Sequence, residues 1–250
     1  MTDPNRAHSG KTALVTGAAK RLGRAISLAL ADQGADVVVH YRSSAQDAED
    51  LVNEIRSRQC RAWALQADLS DPAAVEGFWS KAVEAAGPID ILINNASIFP
   101  TDYVTDMTVE ALERSVRIHA VAPLLLARAL AGQGRPGKIV NMLDARMVDY
   151  DRAHASYHLA KRMAYTITRM LAIELAPAVA VNAVAPGAIL PPPGGDPDAF
   201  ERLAHVVPLQ RVGNVDEIVR AVQWLLGSDF VTGQVLFVDG GRHLKGRVYD

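Results

Sequence analysis

This sequence has little cysteine and a net charge close to zero. Cys60 is the only cysteine among 250 residues, which excludes an internal disulfide and a four-cysteine metal site. The formal net charge is -2, so the chain has no global basic field that would hold nucleic acid or an anionic membrane. We therefore predict no metal site, no nucleic-acid partner and no membrane partner.

Long apolar runs are also absent. No run reaches the roughly 20 residues that a membrane-spanning helix needs, and the N-terminal stretch MTDPNRAHSG lacks the apolar core of a signal peptide. These absences favour a cytoplasmic protein. Hydrophobic residues make up 49% and charged residues 22%, a balance typical of folded globular chains. We predict one domain over residues 1–250, with a flexible segment at residues 1–10.

Short apolar runs alternate with helical patterns along the whole chain. The strand-like runs are residues 12–16, 35–40, 61–66, 89–93, 138–142, 179–184 and 234–238. The helical patterns are residues 22–33, 45–58, 72–86, 109–131, 156–175 and 215–226. Such alternation indicates βαβ units. Right-handed crossovers then predict an α/β, Rossmann-type, doubly wound parallel sheet of about seven strands with helices on both faces.

One segment departs in composition from the rest of the chain. Residues 189–198 read ILPPPGGDPD, and the prolines and glycines break regular structure there. The segment is either an ordinary surface loop or a lid, since it follows the sixth strand at the edge where open α/β sheets bind ligands. We take residues 190–205 as a candidate substrate loop.

A glycine-containing turn follows the first predicted strand directly. The chain there reads TGAAKRLGR, with Gly17 just after the strand and Gly23 at the start of the next helix. Gly17 permits a tight turn, and Gly23 lets the helix pack closely on the sheet. The exposed N–H groups of the helix then favour a pyrophosphate. Glycine in a turn is ordinary, but its placement between this strand and this helix predicts a dinucleotide site.

The end of the second predicted strand indicates which dinucleotide is bound. Selectivity for NAD usually requires an acid there that accepts from the ribose hydroxyls. The chain reads VVVHYRSS and has no acid before Asp47. Arg42 offers a fork of donors to a 2′-phosphate, and Ser43 and Ser44 add hydroxyl donors. Arg21 can contribute from the neighbouring turn. Any one arginine can be only a solvated surface charge, but the pattern favours NADPH as the cofactor.

Tyr157 and Lys161 form the candidate catalytic pair. They are four residues apart at the start of a helical segment, so they share one face of that helix. A free tyrosine has a pKa of about 10, and a lysine ammonium one turn away favours the phenolate and brings the group into range for proton transfer. The spacing alone also fits two amphipathic side chains on a helix. Its position after the fifth strand makes the catalytic interpretation specific.

Taken in order, the motifs resemble the short-chain dehydrogenase/reductase family over nearly all of the chain. They are TGAAKRLG, Asp68-Leu69 after the third strand, Asn94-Asn95-Ala96 after the fourth, Tyr157-x-x-x-Lys161, and Pro186-Gly187 after the sixth. The resemblance implies that Asp68 and Leu69 flank the adenine and that Lys161 also holds the nicotinamide ribose. The cofactor contacts predicted are Gly17, Arg21, Leu22, Gly23, His40, Tyr41, Arg42, Ser43, Ser44, Asp68, Leu69, Asn94, Ala96, Ser97, Met142, Tyr157, Lys161, Pro186, Gly187 and Ile189.

Two residues depart from the general pattern of that family. Thirteen residues before the tyrosine the family usually has a serine that binds a substrate carbonyl, and this chain has Asp144. A carboxylate repels a developing alkoxide, so it suits a substrate with several N–H donors, such as the edge of a pterin ring. His119 stands where the family commonly has an asparagine that supports the lysine through water, so either that proton relay is lost or His119 takes part in it.

The segments VTGAAKRLGRAI, HYRSSA and NNASIFP together with Asp144 resemble pteridine reductases. His119 and VDGGRHL also resemble bacterial dihydromonapterin/dihydrofolate reductases. This resemblance implies that Ser97 and Phe99 contact the pterin. Phe99 is suited to stack on one face of a flat ring, with the nicotinamide on the other. Asp144 and Tyr157 complete the predicted substrate contacts, although Phe99 can also be a loop aromatic and Asp144 a surface acid.

Our hypothesis is an NADPH-dependent reduction of a ring C=N bond in a pterin, with Asp144, Tyr157 and Lys161 as catalytic residues. One alternative is a carbonyl reductase of the same family that acts on a 3-oxoacyl thioester or another ketone. A second is a dinucleotide-binding sensor with no enzymatic activity. The family commonly forms tetramers or dimers, so a homotetramer is expected. The apolar residues 116–130 can supply its interface or simply be core.

Overall fold

The computed structural model describes residues 6–150, 152–191, 194 and 196–245. Its strands are β1 (Thr12–Val15), β2 (Asp36–Tyr41), β3 (Ala62–Gln66), β4 (Ile91–Asn94), β5 (Gly137–Met142), β6 (Val179–Pro186) and β7 (Val235–Val238). They form one parallel sheet in the order β3-β2-β1-β4-β5-β6-β7. The chain winds outward from β1 in both directions, which confirms the predicted doubly wound sheet of seven strands.

Helices cover both faces of the sheet. They are α1 (Arg21–Asp32), α2 (Ala45–Ser57), α3 (Pro72–Ala86), α4 (Val109–Val116), α5 (Ala122–Ala131), α6 (Ala155–Glu174), α7 (Pro197–Glu201) and α8 (Val215–Gly227). Short 3-10 turns lie at Ala145–Val148, Arg202–Val206 and Arg242–Leu244. Within the described part of the chain, none of these helices has the length and apolarity needed to cross a bilayer.

Alternate residues of the central strands enter two separate hydrophobic cores. In β1, Ala13 and Val15 pack into the core under α1, α2 and α8, whereas Leu14 packs on the opposite face with α3 and α5. All three side chains are fully buried. Because both faces are covered by helices, the strands are apolar throughout. The polar groups that perform chemistry therefore gather where the strands end.

The predicted helix over residues 109–131 contains an interruption. A π-helical turn (Arg117–Val121) lies between α4 and α5, and in it the N–H of Ala122 donates to the oxygen of Arg117, five residues back. Apolar periodicity did not reveal this turn, because one extra residue only rotates the pattern. Extra residues of this kind are frequent at functional sites, and His119 lies in the middle of this one.

The apolar residues 116–130 are explained largely by the core of one chain. Ile118, Leu126 and Leu130 are buried within it. Four of the large apolar side chains that remain exposed lie along one side of α6, namely Leu159, Met163, Met170 and Ile173. The expected tetramer or dimer stays a prediction.

Two segments that were expected to be irregular contain ordered structure. Residues 6–10 form a turn in which the His8 side chain is buried. The backbone N–H of His8 donates to the oxygen of Gln33 at 2.9 Å. The flexible start that we predicted stays a prediction, and its residues 1–5 lie outside the described residues. The candidate substrate loop at 190–205 includes α7 and the 3-10 turn after it, while residues 192, 193 and 195 lie outside the described residues.

Candidate active site

The turn between β1 and α1 is built for close approach of backbone. Gly17 has a φ of 61°, and a Cβ there would lie 2.9 Å from the Cα of Ala96. A Cβ on Gly23 would lie 2.3 Å from the oxygen of Gly17. Only glycine fits at either position. Among the described residues, no side chain caps the start of α1, so the N–H groups of its first turn are available to an anion such as a pyrophosphate.

Thr16 and Asn95 tie this turn to the end of β4. The Asn95 amide donates to the oxygens of Thr16 and Gly17 at 2.9 and 3.1 Å. The Thr16 hydroxyl accepts from the N–H groups of Asn95 and Ala96 at 2.9 and 3.0 Å. Neither Thr16 nor Asn95 was predicted to have a role, although both stand in the quoted motifs. They hold the two loops that form the floor of the cofactor cleft.

His40 was predicted as a cofactor contact, and the structure gives it a further role. Its Nδ1 accepts from the N–H of Gly17 at 2.9 Å, and its Nε2 lies 3.1 Å from the oxygen of Ala67. A backbone N–H can only donate and a carbonyl can only accept, so the ring carries its proton on Nε2. Burial lowers the pKa of His40 to about 4. The ring is therefore neutral and fixes the glycine turn against the loop after β3.

A cleft of about 200 Å³ opens beside this turn. Many of the predicted cofactor residues line it: Gly17, His40, Tyr41, Arg42, Ser43, Ser44, Asp68, Leu69, Ala96 and Ser97. Lys20 lines it as well and lies 2.9 Å from Asp47 in an ion pair. We did not assign Lys20 from the sequence, although it precedes α1 and offers a second cation near Arg42. The donors present fit a dinucleotide with a phosphate on its adenosine ribose.

Arg21 lies at the start of α1, and its side chain contacts a second loop. Its guanidinium donates to the oxygen of Pro191 at 2.7 Å, which directs it to the loop after β6 and away from Arg42. Arg21 itself has a φ of 55°, so the backbone at the start of α1 turns its side chain in that direction. In this structure Arg21 therefore connects the glycine turn to the candidate substrate loop, and its contact with a 2′-phosphate stays a prediction.

The remaining predicted cofactor residues lie at the ends of β4, β5 and β6 and beside α1. Asn94 donates to Asn141 at 2.8 Å, and its side-chain oxygen is a buried acceptor with no partner among the described residues. Gly187 is required by packing, because a Cβ there would lie 2.6 Å from the Cα of Asp239. Leu22, Met142, Pro186 and Ile189 are apolar and half-buried or buried. These residues supply an apolar wall, and the Asn94 oxygen supplies a hydrogen-bond acceptor, at the sheet edge where the nicotinamide half of the cofactor is expected.

Asp144, Tyr157 and Lys161 come together as predicted. The phenol of Tyr157 donates to Oδ2 of Asp144 at 2.8 Å, and the other carboxylate oxygen accepts from the N–H of Arg146 at 2.7 Å. The Lys161 ammonium is buried and donates to the oxygen of Met142 at 2.6 Å. Burial lowers the pKa of Lys161 to about 8, against a smaller opposing effect of the Asp144 charge. The cluster therefore combines a proton donor, an acceptor and a cation that loses its proton readily.

The start of α6, which carries Tyr157, is anchored from two distant segments. Asp102 accepts from the N–H of Ser156 at 3.0 Å and also accepts from the Ser156 hydroxyl. The Ser156 hydroxyl lies 3.0 Å from that of Ser115 on α4. A carboxylate at a helix N-terminus is stabilising. This network fixes the direction of the catalytic side chain, and no local motif in the sequence indicates it.

Phe99 lies beside the catalytic tyrosine and is 41% exposed. Its ring centroid is 4.8 Å from that of Tyr157 in an edge contact and 3.7 Å from that of His154 in a stacked one. The guanidinium of Arg146 lies over the ring at 5.3 Å. His154 and Arg146 were not predicted from the sequence. The Phe99 ring is accessible to a ligand next to the Tyr157 phenol, although His154 is stacked on it in this structure.

A Rossmann-type sheet with a glycine turn, an uncapped helix start and a buried Tyr-Lys pair defines a nicotinamide-dependent oxidoreductase. The family model described as enoyl-(acyl carrier protein) reductase matches residues 17–243. The chain belongs to the short-chain dehydrogenase/reductase family, as the motifs predicted. This family uses a nicotinamide dinucleotide, which confirms the class of cofactor predicted.

Several relatives match over almost their full length. FolM alternative dihydrofolate reductase 1 from Brucella canis, solved in complex with NADP, is 35% identical with a TM-score of 0.90 and covers 98% of this chain and 99% of that one. Versicolorin reductase of Emericella nidulans is 36% identical over 93% of this chain and 95% of its own. D-erythrulose reductase of Gallus gallus is 35% identical over 96% of this chain and 98% of its own. The relatives thus share the scaffold but are named for different substrates.

Proposed function

We propose that this oxidoreductase uses NADPH to reduce a C=N bond in the ring of a pterin or dihydropterin. The observation that carries the proposal is the hydrogen bond at 2.8 Å from Tyr157 to the carboxylate of Asp144. It places an anionic acceptor at the position where the family usually has a hydroxyl. The structural match to an NADP-bound dihydrofolate reductase of the same family supports it.

NADPH is favoured over NADH by the residues around the adenosine end of the cleft. Arg42, Lys20, Ser43 and Ser44 supply cationic and hydroxyl donors there. Asp47, the first acid after β2 in the chain, is paired with Lys20 at 2.9 Å, so it does not take the place of a ribose-binding acid. When bound, the dinucleotide supplies the hydride, and the protein supplies binding, orientation and protons.

Tyr157 is the proposed proton donor to the ring nitrogen. Its O–H points to Asp144 in the structure and needs only a rotation about the C–O bond to reach a substrate in the cleft. Lys161, held against Met142 and with its pKa lowered to about 8 by burial, stabilises the phenolate that remains. Because the lowered pKa of Lys161 lies near the working pH, the Lys161 ammonium can also pass a proton back to the phenolate.

Asp144 and Ser97 are the proposed polar contacts of the substrate. A pterin presents amino and ring N–H donors along one edge, and a carboxylate accepts from them in a charge-assisted bond. The ring of Phe99 lies partly exposed beside the same site, and a flat ligand would stack on it in place of His154. An N–H-rich, flat ring therefore matches the acceptors and the aromatic surface together, which a small aliphatic ketone does not.

Reduction of a ketone is the second candidate, and the names of the relatives favour it. Versicolorin reductase and D-erythrulose reductase match this chain as well in sequence as FolM does. Against it stands Asp144, because a carboxylate beside the reacting carbon disfavours the negative charge that develops on a carbonyl oxygen.

The deciding experiment is a substrate panel followed by the loss of NADPH absorbance. Dihydrobiopterin, dihydromonapterin and dihydrofolate represent the proposed class, and an acetoacetyl thioester and erythrulose represent the ketones. We expect turnover with at least one pterin and none with the ketones, with Tyr157→Phe as the inactive control. Turnover of the ketones alone would replace the proposal by the second candidate. NADPH binding without any turnover would favour a sensor.

A further inference from the structure

His119 lies in the π-helical turn, and its ring contacts the loop after β4. The side chain is 3% exposed. Its Nδ1 lies 2.8 Å from the oxygen of Ser115, and its Nε2 lies 3.3 Å from the N–H of Ile98 and 3.0 Å from the hydroxyl of Ser97. The ring also makes an edge contact with that of Tyr157, with 5.1 Å between the two ring centroids. His119 thus joins the helix beside the catalytic tyrosine to a residue that lines the cofactor cleft.

The two backbone contacts determine where the ring carries its proton. The oxygen of Ser115 can only accept, so Nδ1 bears the hydrogen. The N–H of Ile98 can only donate, so Nε2 bears a lone pair. Each contact requires the same tautomer. Protonation would set a second N–H against that of Ile98, and burial together with the nearby Lys161 charge lowers the pKa of His119 to about 3. The ring therefore stays neutral at working pH.

This tautomer decides the direction of the single proton of Ser97. The Ser97 oxygen lies 3.0 Å from Nε2 of His119 and 3.3 Å from the oxygen of Ile98. Both of these atoms are acceptors, so the protein offers the hydroxyl proton two internal partners, and the shorter contact is to His119, whose Nε2 also accepts from Ile98. With the proton on that contact, the Ser97 oxygen keeps lone pairs for the cleft that it lines. A hydroxyl that can usually act as donor or acceptor then faces the cleft as an acceptor.

We propose that His119 is a positioning residue that orients the Ser97 hydroxyl so that its oxygen only accepts hydrogen bonds from a ligand. The site then selects a ligand that carries an N–H group opposite Ser97. The inference rests on the proposed function, since it concerns which edge of the pterin is recognised. Ser97 and Asp144 would then act alike, both accepting from donors on the ring. A carbonyl placed against Ser97 would force its proton away from His119 and break one hydrogen bond, a loss of about tenfold in affinity.

The tautomer is measured directly on the wild-type protein, with no substrate present. A nitrogen–proton correlation NMR spectrum assigns the ring nitrogens of His119, by comparison with the spectrum of His119→Asn. We expect a protonated Nδ1 and an unprotonated Nε2 that do not change between about pH 6 and 9, since the ring titrates far below this range. A protonated Nε2 would overturn the inference, and so would titration within this range.

The consequence for recognition is measured with two binding probes of similar size, 2,4-diaminopteridine as donor and 2,4-dioxopteridine as acceptor. We expect wild-type protein to prefer the diamino probe by roughly tenfold more than Ser97→Ala does. His119→Asn should lose the same preference, and adding it to Ser97→Ala should change nothing further, because residues that act through one another are not additive. Ser97→Thr, which keeps the hydroxyl, should retain the preference.

The outcomes separate the two proposals. Binding of both probes without a preference, or a further loss on adding His119→Asn to Ser97→Ala, refutes the role of His119 and leaves the pterin proposal standing. Binding of neither probe, together with no pterin turnover, refutes the pterin proposal and the selectivity built on it. If His119→Asn does not fold, the wild-type spectrum and the Ser97 variants give the decision.

Discussion

Two buried histidines, one in each half of the site, hold their protons on opposite nitrogens. His40 in the cofactor half accepts at Nδ1 from the glycine turn and donates from Nε2 to a carbonyl, and both contacts are to backbone. His119 in the substrate half donates from Nδ1 to a carbonyl and accepts at Nε2, where one partner is the Ser97 side chain. Each ring thus joins two backbone segments, but only His119 also contacts a side chain that lines the cleft, Ser97.

The strongest test of this contrast removes the proton donor alone. Tyr157→Phe keeps the ring that contacts Phe99 and His119 but loses the hydroxyl that donates to Asp144. We expect kcat to fall by about 10² to 10⁴, the usual contribution of a general acid, with the Kd for NADPH unchanged. Stopped-flow hydride transfer and titration of NADPH fluorescence measure the two. A comparable loss of NADPH affinity would place Tyr157 in the cofactor half instead.

Replacing Asp144, the residue that departs from the family pattern, should have the next largest effect. Asp144→Ser removes a charged acceptor, so we expect kcat/KM for the pterin to fall by about 10- to 100-fold while NADPH binding holds. Because the Asp144 charge raises the pKa of Lys161, its loss should move that pKa below about 8. The basic limb of the pH–rate profile should then shift to lower pH. Asp144→Asn keeps the shape as a control, and equal damage to cofactor binding would contradict the assignment.

In the cofactor half, Arg42→Ala should raise the KM for NADPH about tenfold, since one charge-assisted contact is lost. The KM for NADH should change little, because NADH lacks the 2′-phosphate. Lys20→Ala should act in the same direction but less strongly, as Lys20 is partly neutralised by Asp47. Arg21→Ala is the matched control, since its guanidinium bonds to Pro191. An equal rise for both cofactors would argue against a phosphate contact.

The last effect expected is on stability against pH and not on activity. Burial lowers the pKa of His8 and of His40 to about 4, and that of His119 to about 3, from an ordinary 6.5. Between these values the unfolded chain binds protons that the folded chain does not, so stability is full above about pH 6.5 and falls as the pH is lowered. Each ring contributes at most about 1.4 kcal/mol per pH unit. Urea unfolding at a series of pH values measures the slope, and His8→Gln should make it shallower.

Much of the scaffold was predictable from the sequence. Apolar runs flanked by helical patterns gave the strands to within a few residues, and Gly17 marked the cofactor turn. Asp144 and Tyr157 were predicted to meet because their spacing resembles that of a known family, and the structure brings them to hydrogen-bonding distance.

The remainder depends on contacts between residues far apart in the chain. The bonds from Asp102 to Ser156 and from Arg21 to Pro191 join segments that no short motif relates. The π-helical turn was missed because it changes the phase of a helix without changing its composition.

That turn has a consequence for how the protein tolerates change in length. In an α-helix each residue turns the side chains by about 100°, and the widened turn takes up one extra residue while α4 packs on α6 and α5 packs on α3. Deleting a single residue between 117 and 121 would close this turn into ordinary α-helix. His119 would then lose its place in the turn, and its imidazole would move away from the loop after β4 that it holds. The chain is thus more sensitive to a change of length here than to most changes of residue type.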